Sequence, residues 1–488
     1  MGDSKETTDR LIALVDELRQ LSAETEWVEF KRDNADPDRI ARTISSLANA
    51  ARLANQPVAY VLWGIDNSSH NVVGTAFDPV SAKHSAQPLK LWLSQVLRPD
   101  LNFDFTVVPH PSGRVVVLHI PAASLVPVKY NNIAYIRIAE ATVKVGDHPQ
   151  REAALLASLR PIAWESGVAL GYVTESAVLE LLDSAAYFVL TTQRPSSDPK
   201  AVLEYFAQDK LIARDVGGRW NILNLGAILF AKHLDSFGPL ARKATRVVQY
   251  KGVSRTATIR EQKGGRGYAA GFSGLLQYLE TTLPSSERVE KGIKERQSAY
   301  PDIAVRELVA NALIHQDMTI TGAGPMIEIF SDRIEITNPG KPLIEPNRFM
   351  DLPPRSRNEG LASLMRRMGV CEERGSGIDK VVSEVEMAQL PPPSFLAPED
   401  NTQAILYGPR SFKDMSSELR IRACYWHAVL RFVQGEGMTN ATLRERFGVD
   451  DSKASQISRI INQAEEAKLI RQSDEWSPRT GFYLPIWA

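Results

Sequence analysis

Apolar positions along the chain recur with two periods, and the clearest helical one runs from Tyr300 to Ala312. There Val305, Leu308, Val309 and Ala312 keep the i, i+3, i+4, i+7 spacing of a single buried stripe. Pro301 and Asp302 supply an acceptable helix start, and Glu307 and Asn311 fall one turn apart on the neighbouring face. The same period predicts helices over 8–21, from Asp36-Pro37 through Ile40, Ile44, Leu47 and Ala51, and over 155–159, 176–187, 268–283 and 419–433. Strands are expected around Trp27, Val28 and Phe30, in RVVQYKG, and in PMIEIFSDRIEITNPG, where Ile327, Ile329, Ile334 and Ile336 alternate. The runs starting at Val58 and Arg114 read as strands joined by a turn.

Length and composition narrow the class. A chain of 488 residues predicts roughly three domains of about 150 residues each. Lys plus Arg number 57 against 58 for Asp plus Glu, so no global positive field announces nucleic acid and any such binding must rest on local patches. Cys371 and Cys424 stand far apart with no metal-ligand spacing, which argues against structural zinc and a disulfide scaffold and fits a reducing, cytoplasmic setting. No apolar run reaches the ~18 residues of a spanning helix.

Several polar groups have chemistry to offer. A carboxylate and an amide one turn apart, as at Glu307 and Asn311, can hold a hydrated Mg²⁺ and orient a water against a phosphate; a solvated edge of an amphipathic helix is the plainer alternative. Gly375-Ser376-Gly377 precedes a helix carrying Ile378, Val381, Val382 and Val385, and exposed amides at such a start suit a phosphate, although glycines also mark plain turns. Lys263 to Gly267 is a basic glycine loop with the same two readings. Near the N-terminus, Glu24, Glu29 and Asp66 could converge on Mg²⁺ or Mn²⁺ with Lys31 beside them, or remain solvated strand-edge carboxylates.

The C-terminal stretch has the cadence of a winged helix-turn-helix. Thr439 or Asn440 caps a short helix, Gly448 turns the chain, and Ser452 is expected to cap a second helix that buries Ala454, Ile457, Ile461 and Ala464. Lys453, Gln456, Arg459 and Gln463 stay outside, types suited to phosphates and base edges, whereas Glu465 and Glu466 oppose DNA contact. Residues 469–470 and 481–484 would form the wing.

Two resemblances add to these readings. ETEWVEFKR, ISSLANAARLANQPVAYVLWGIDNSSHNVVG and AYIRIAEATVKV resemble the AlbA-like domain of Schlafen-type proteins over about residues 10–150. The resemblance implies nucleic-acid binding and, by position, a metal-dependent cutting site at Glu24, Glu29 and Asp66; the segment reads Gly64-Ile65-Asp66-Asn67, so the third acid is either Asp66 or replaced by Asn67. RELVANALIHQDM, IEIFSDRIEITNPGKPL and the run from Pro353 to Val381 are similar to the ATP-binding C-terminal region of RecG-related proteins, of GHKL type. That similarity implies Glu307 as the residue polarising water, Asn311 as a Mg²⁺ ligand, Gly375 and Gly377 at the phosphates, and Asn338 and Gly340 where the family reads adenine with Asp-x-Gly. Arg355, Arg357, Arg366 and Arg367 fall in the segment that would form the nucleotide lid.

The expected protein is therefore α+β and multidomain. It comprises a Schlafen/AlbA-like domain (1–155), a connecting region (156–295), a GHKL-type α/β sandwich (296–410) and a winged helix (411–488). The function expected is an ATP- and nucleic-acid-binding protein, homo-oligomeric, whose N-terminal domain acts on RNA or DNA as a nuclease under ATP control. The alternative is an ATP-responsive transcriptional regulator without nuclease activity.

Overall fold

A computed structural model describes residues 2–21, 25–139, 141–159, 163–215, 219–290, 293–371, 377–474 and 481–488. Glu24, Gly375 and Ser376 lie outside them. The chain divides into two compact units, Met1–Thr174 with Ala213–Asn221, and Glu175–Ile212 with Ile222–Ala488.

The first unit is built on a four-stranded sheet in the order Val28–Lys31, Val58–Trp63, Gly113–Pro121, Asp104–His110. The first two strands run parallel, Val28 opposite Tyr60 and Lys31 opposite Trp63, and the others antiparallel. The strands at Val58 and Gly113 do pair, but no turn joins them. The chain between them makes the Lys83–Pro88 hairpin, the Leu89–Val96 helix and the Asp104–His110 strand before returning. Pairing register follows apolar side chains, while the length of a connection leaves no periodic trace.

The Pro37–Leu53 helix covers this core with Ile40, Ile44, Leu47 and Ala51. Asp36 caps it by accepting from the Arg39 amide at 2.8 Å. Its opposite side is buried too, and there the side chains are polar. Asn49 Nδ2 donates to the Val128 and Tyr135 carbonyls, both at 2.8 Å, and its Oδ1 accepts from the Val128 amide at 2.8 Å. Ser45 Oγ adds a bond to the same Val128 carbonyl at 2.7 Å. These bonds latch the helix to a second small sheet formed by 97–98, 129–130, 133–138 and 141–144.

In the second unit a six-stranded sheet has the order Thr258–Lys263, Arg246–Tyr250, Met326–Ile329, Arg333–Pro339, Asn401–Tyr407, Ser394–Leu396. Ile327 pairs with Ile336 and Ile329 with Ile334, so the alternation read from the sequence forms one buried face. The Asp302–Ile314 helix lies against the Arg333–Pro339 strand and against the Gly377–Met387 helix. On the strand face opposite those isoleucines Glu328 is also buried, because the Arg255 guanidinium holds both its carboxylate oxygens at 2.7 Å. C-terminal to the sheet come helices Ser417–Val433, Asn440–Arg446 and Ala454–Glu466 and the hairpin of Ile470–Gln472 with Tyr483–Pro485.

Two local expectations are corrected. The helix foreseen over 176–187 breaks at Asp183, which caps a new helix by accepting from the Ala186 amide at 2.9 Å. Ser452 caps nothing: Asp450 accepts from its amide at 2.9 Å in a short 3₁₀ turn, and the long helix starts at Ala454, which is half-buried rather than buried. In the Lys263 to Gly267 loop both cations stay exposed and each has an acidic partner. Lys263 pairs with Asp235 at 2.9 Å, Arg266 pairs with Asp183, and the Gly264 and Gly267 amides donate to the Thr245 and Ala231 carbonyls.

The Asn49 latch yields a measurable expectation. Asn49→Ala strands the Val128 amide and the Tyr135 carbonyl away from water, a loss of about 2–3 kcal/mol. A urea midpoint for the first unfolding transition equal to that of the parent protein would refute the latch.

Candidate functional site

Glu307 sits mid-helix and only 4 % exposed, an expensive place for a carboxylate unless the surroundings serve it. Asn311, one turn on, is half-buried. The first residue of the Gly377–Met387 helix is packed directly on this pair. A Cβ placed on Gly377 would stand 2.8 Å from Glu307 Oε2 and 3.7 Å from Asn311 Nδ2, so a larger residue would require the Glu307 carboxylate or the helix start to move. The contact brings a helix start, with its partial positive charge, against the carboxylate. Two residues on, burial pushes the Asp379 carboxyl above its ordinary range, and its Oδ1 finds no donor among the described residues. Asp379 escaped the sequence reading because it lies in an unremarked first turn.

The Asn338 to Gly340 turn closes on the far end of the same helix. Asp317, three residues beyond Ile314, donates its amide to the Pro339 carbonyl at 2.7 Å. Gly340 has φ +101°, and a Cβ there would lie 2.6 Å from the Asp317 Cβ. Asn338 is buried in the strand, opposite Thr402, its Nδ2 making a long 3.4 Å bond to the Pro339 carbonyl. Three segments from different parts of the chain thus meet one helix: Gly377 at Glu307 and Asn311, and the Asn338–Gly340 turn at the residues that follow Ile314.

Further groups surround the end of that helix. Asn358 Nδ2 donates to the Ile314 and Gln316 carbonyls at 2.7 and 2.8 Å, ending the helix from the segment expected to be a lid. Lys243, buried, donates to the Ile320 carbonyl at 2.6 Å and is pulled below the ordinary lysine range by burial, Asp317 opposing. Burial pushes His315 down to about 4, the Arg357 and Arg366 charges adding to the effect and a hydrogen bond with the Arg355 backbone opposing it. His315 is therefore neutral at neutral pH. Among the lid arginines, Arg357 donates to the Lys341 carbonyl at 2.7 Å, Arg367 pairs with Asp209, and Arg355 and Arg366 are exposed.

In the first unit the acids are engaged elsewhere. Glu29 Oε1 meets Lys31 Nζ at 2.5 Å and its Oε2 meets Arg137 at 2.5 Å, with the Arg137 side chain only 2 % exposed. Asp66 closes a turn: Oδ1 accepts from the Ser68 and Ser69 amides and hydroxyls, and Oδ2 faces Arg32 at 2.7 Å. The Ser68 hydroxyl, followed by the Ser69 donors, holds its carboxyl far below the usual carboxylate range. The sheet sets the two segments side by side, the Gly64 amide donating to the Lys31 carbonyl at 2.8 Å. Even so, Glu29 and Asp66 answer to different cations. Among the described residues, which leave out Glu24, no group of three His, Cys, Asp or Glu side chains is arranged to hold a metal.

At the C-terminus, Gln456 and Arg459 are exposed on the Ala454–Glu466 helix and Lys453 is half-buried at its start. Asp450 and Asp451 precede them.

The elements define a protein of two α+β units, each built on its own sheet. Comparison with known families agrees: residues 24–146 match the family described as Schlafen, AlbA_2, and residues 322–406 match the family described as ATP-dependent DNA helicase recG C-terminal. The chain thus joins a Schlafen/AlbA-like region to a RecG-related ATPase region. Asn338, Gly340 and Gly377 lie inside the second match, and Glu307 and Asn311 just before it. More particularly, the solved structure of the DIP2311 protein from Corynebacterium diphtheriae is 17 % identical over 98 % of this chain and 97 % of that one, with a TM-score of 0.43, a level that carries no inference. No curated protein matches the chain. No described helix is long and apolar enough to cross a membrane.

Two expectations test this geometry. Gly377→Ala must displace Glu307 or the helix start, and should weaken binding of a fluorescent ATP analogue at least about tenfold, some 1.4 kcal/mol; unchanged affinity would separate Gly377 from the nucleotide. His315 has a folded-state value below its unfolded ~6.5, so the unfolded chain takes up the proton first and stability falls as pH drops from about 6.5 toward 4, by at most about 3 kcal/mol. In His315→Gln the urea midpoint should vary less across that window; an identical pH profile would rule the histidine out.

Proposed function

We propose that the protein binds ATP in a GHKL-type α/β sandwich spanning about 296–410 and binds nucleic acid through its Schlafen/AlbA-like region, about 1–155. Residues 156–295 lead into the sandwich, their 246–250 and 258–263 strands joining its sheet, and 411–488 form a winged helix. The observation that carries the nucleotide half is the Gly377 backbone seated on Glu307 and Asn311, which sets a glycine-opened helix start, a buried base and an amide in one place. These residues fit ATP with a divalent cation: Asn311 supplies a neutral oxygen for Mg²⁺, and the bound nucleotide brings the phosphoanhydride to be hydrolysed. Glu307 takes a proton from the attacking water, and its burial keeps that water away from bulk exchange. Asn338 stands where an aspartate would make a charge-assisted bond to adenine, so the neutral amide gives a weaker base preference.

Binding without cutting is favoured over nuclease action by the state of the N-terminal acids. Glu29 is bound by two cations and Asp66 is spent on its own turn. On this reading nucleotide-dependent homo-oligomerisation is the means by which ATP changes the grip on RNA or DNA. In the winged helix, Lys453, Gln456 and Arg459 are the residues offered to DNA.

Glu307→Ala should abolish phosphate release from ATP while the affinity for the nucleotide stays within about threefold, roughly 0.7 kcal/mol. Turnover persisting at the parent rate would dismiss Glu307 as the base. Incubation of the parent protein with labelled RNA or DNA and Mn²⁺ should leave both intact; cleavage that disappears in Glu29→Gln would restore the nuclease.

A further inference from the structure

The net charge of −1 hides a strongly uneven distribution. Between residues 79 and 139 the sequence has Lys or Arg at 83, 90, 98, 114, 129 and 137, and acids only at Asp100 and Asp104. Folding draws part of this stretch together. The Lys83–Pro88 hairpin packs beside the Leu89–Val96 helix, and the short 97–98 strand pairs with 129–130 so that Arg98 stands opposite Lys129.

At the junction of hairpin and helix the His84 imidazole stacks on the Trp92 indole, centroids 4.0 Å apart and planes 14° from parallel. Neither ring is buried. Tyr130 meets Trp92 edge-on at 6.3 Å, its hydroxyl bonded to Asp38, so the indole is braced from below. Of the carboxylates near this surface, Asp38 serves Tyr130 and His84 and Asp104 serves Lys90 at 2.6 Å, while exposed Asp100 follows Arg98 by two residues. Lys83, Arg98 and Lys129 are exposed and have no carboxylate partner among the described residues. Arg42, one helical turn from Asp38, is exposed beside Tyr130.

A soluble surface has little reason to present a flat aromatic stack ringed by unneutralised cations unless something flat and anionic lies on it. Bases stack on such rings whatever their identity, and the cations track the backbone. A duplex, whose bases are already stacked on one another, gives the rings nothing to hold. We infer that the His84/Trp92 stack, with Lys83, Arg98 and Lys129 around it, is a binding platform for single-stranded polynucleotide, one unstacked base resting on the rings. The inference rests on the reading of the first unit as nucleic-acid-binding and adds to it the place and the strandedness.

The test uses the full chain, with 16-nucleotide fluorescein-labelled oligo(rU) and oligo(dT) and a 16-base-pair duplex, followed by anisotropy between 50 and 200 mM KCl. Trp92→Ala should weaken binding to single strands by about 5- to 150-fold, the range found for loss of one base stack, and Trp92→Phe should recover most of it. The exposed triple variant Lys83→Ala, Arg98→Ala, Lys129→Ala should lower the salt slope by about 2, corresponding to three lost phosphate contacts. Its circular dichroism and thermal midpoint guard against a folding defect. Whichever of the two oligonucleotides binds more tightly reports the sugar preference, and either supports the platform when Trp92 controls it. If the parent protein binds single strands and Trp92→Ala and the triple variant bind as well as it does, the platform is overturned while the proposed function stands. If the parent binds no nucleic acid, both fall; if it binds only duplex, the platform alone falls.

Discussion

The close packing of Gly377 on Glu307 is the contact on which the second unit depends. A carboxylate 4 % exposed in the middle of a helix costs several kcal/mol unless its charge is answered. A helix N-terminus is a weak cation, made of amides and lacking a side chain, and it answers the charge only if the backbone comes close. A methyl group at position 377 would stand 2.8 Å from the Glu307 oxygen, so one of the two residues would have to shift to admit it.

That helix also has a second end. Glu386, on its last turn, meets His427 Nδ1 at 2.9 Å and lies 3.7 Å from Arg446 Nε, while Arg446 donates to the Leu390 carbonyl at 2.7 Å. Burial draws Arg446 below the ordinary arginine range, with Glu386 resisting. The Gly448 turn is pressed on Gln389, leaving no room for a Cβ. An 11-residue helix about 16 Å long thus has the Glu307 pocket at its start and the C-terminal helices at its finish.

The first unit uses charge differently. Its carboxylates are consumed internally: Glu29 by Lys31 and Arg137, Asp66 by serines and Arg32, Asp38 by Tyr130. Neutralising acids in this way leaves a surplus of cations on the surface between 79 and 139, which the overall balance of 57 to 58 conceals. Attraction for a polyanion then comes from where the acids are spent rather than from how many there are.

Periodicity and local rules carried much of this into the sequence. The Glu307 helix, the Ile327/Ile336 hairpin, the Asp36-capped helix, the Thr439 cap and the Gly448 turn all follow from side-chain spacing, capping and backbone preference, which act over a few residues. The polar triplet Ser45, Ser46 and Asn49 is buried because a second sheet comes to meet it, a partner that no spacing within the helix announces. The distant partners of Glu29, Lys263 and Arg266 were invisible for the same reason: Arg137, Asp235 and Asp183 lie tens of residues away, and no local rule selects among many cations and anions. Residue types and spacing by themselves determined which groups could do chemistry and on which elements they ride. Only the tertiary structure decided which charges are answered, since that depends on distances between segments remote in the chain. In that sense Glu307 was legible as a candidate, and Gly377 resting on it was not.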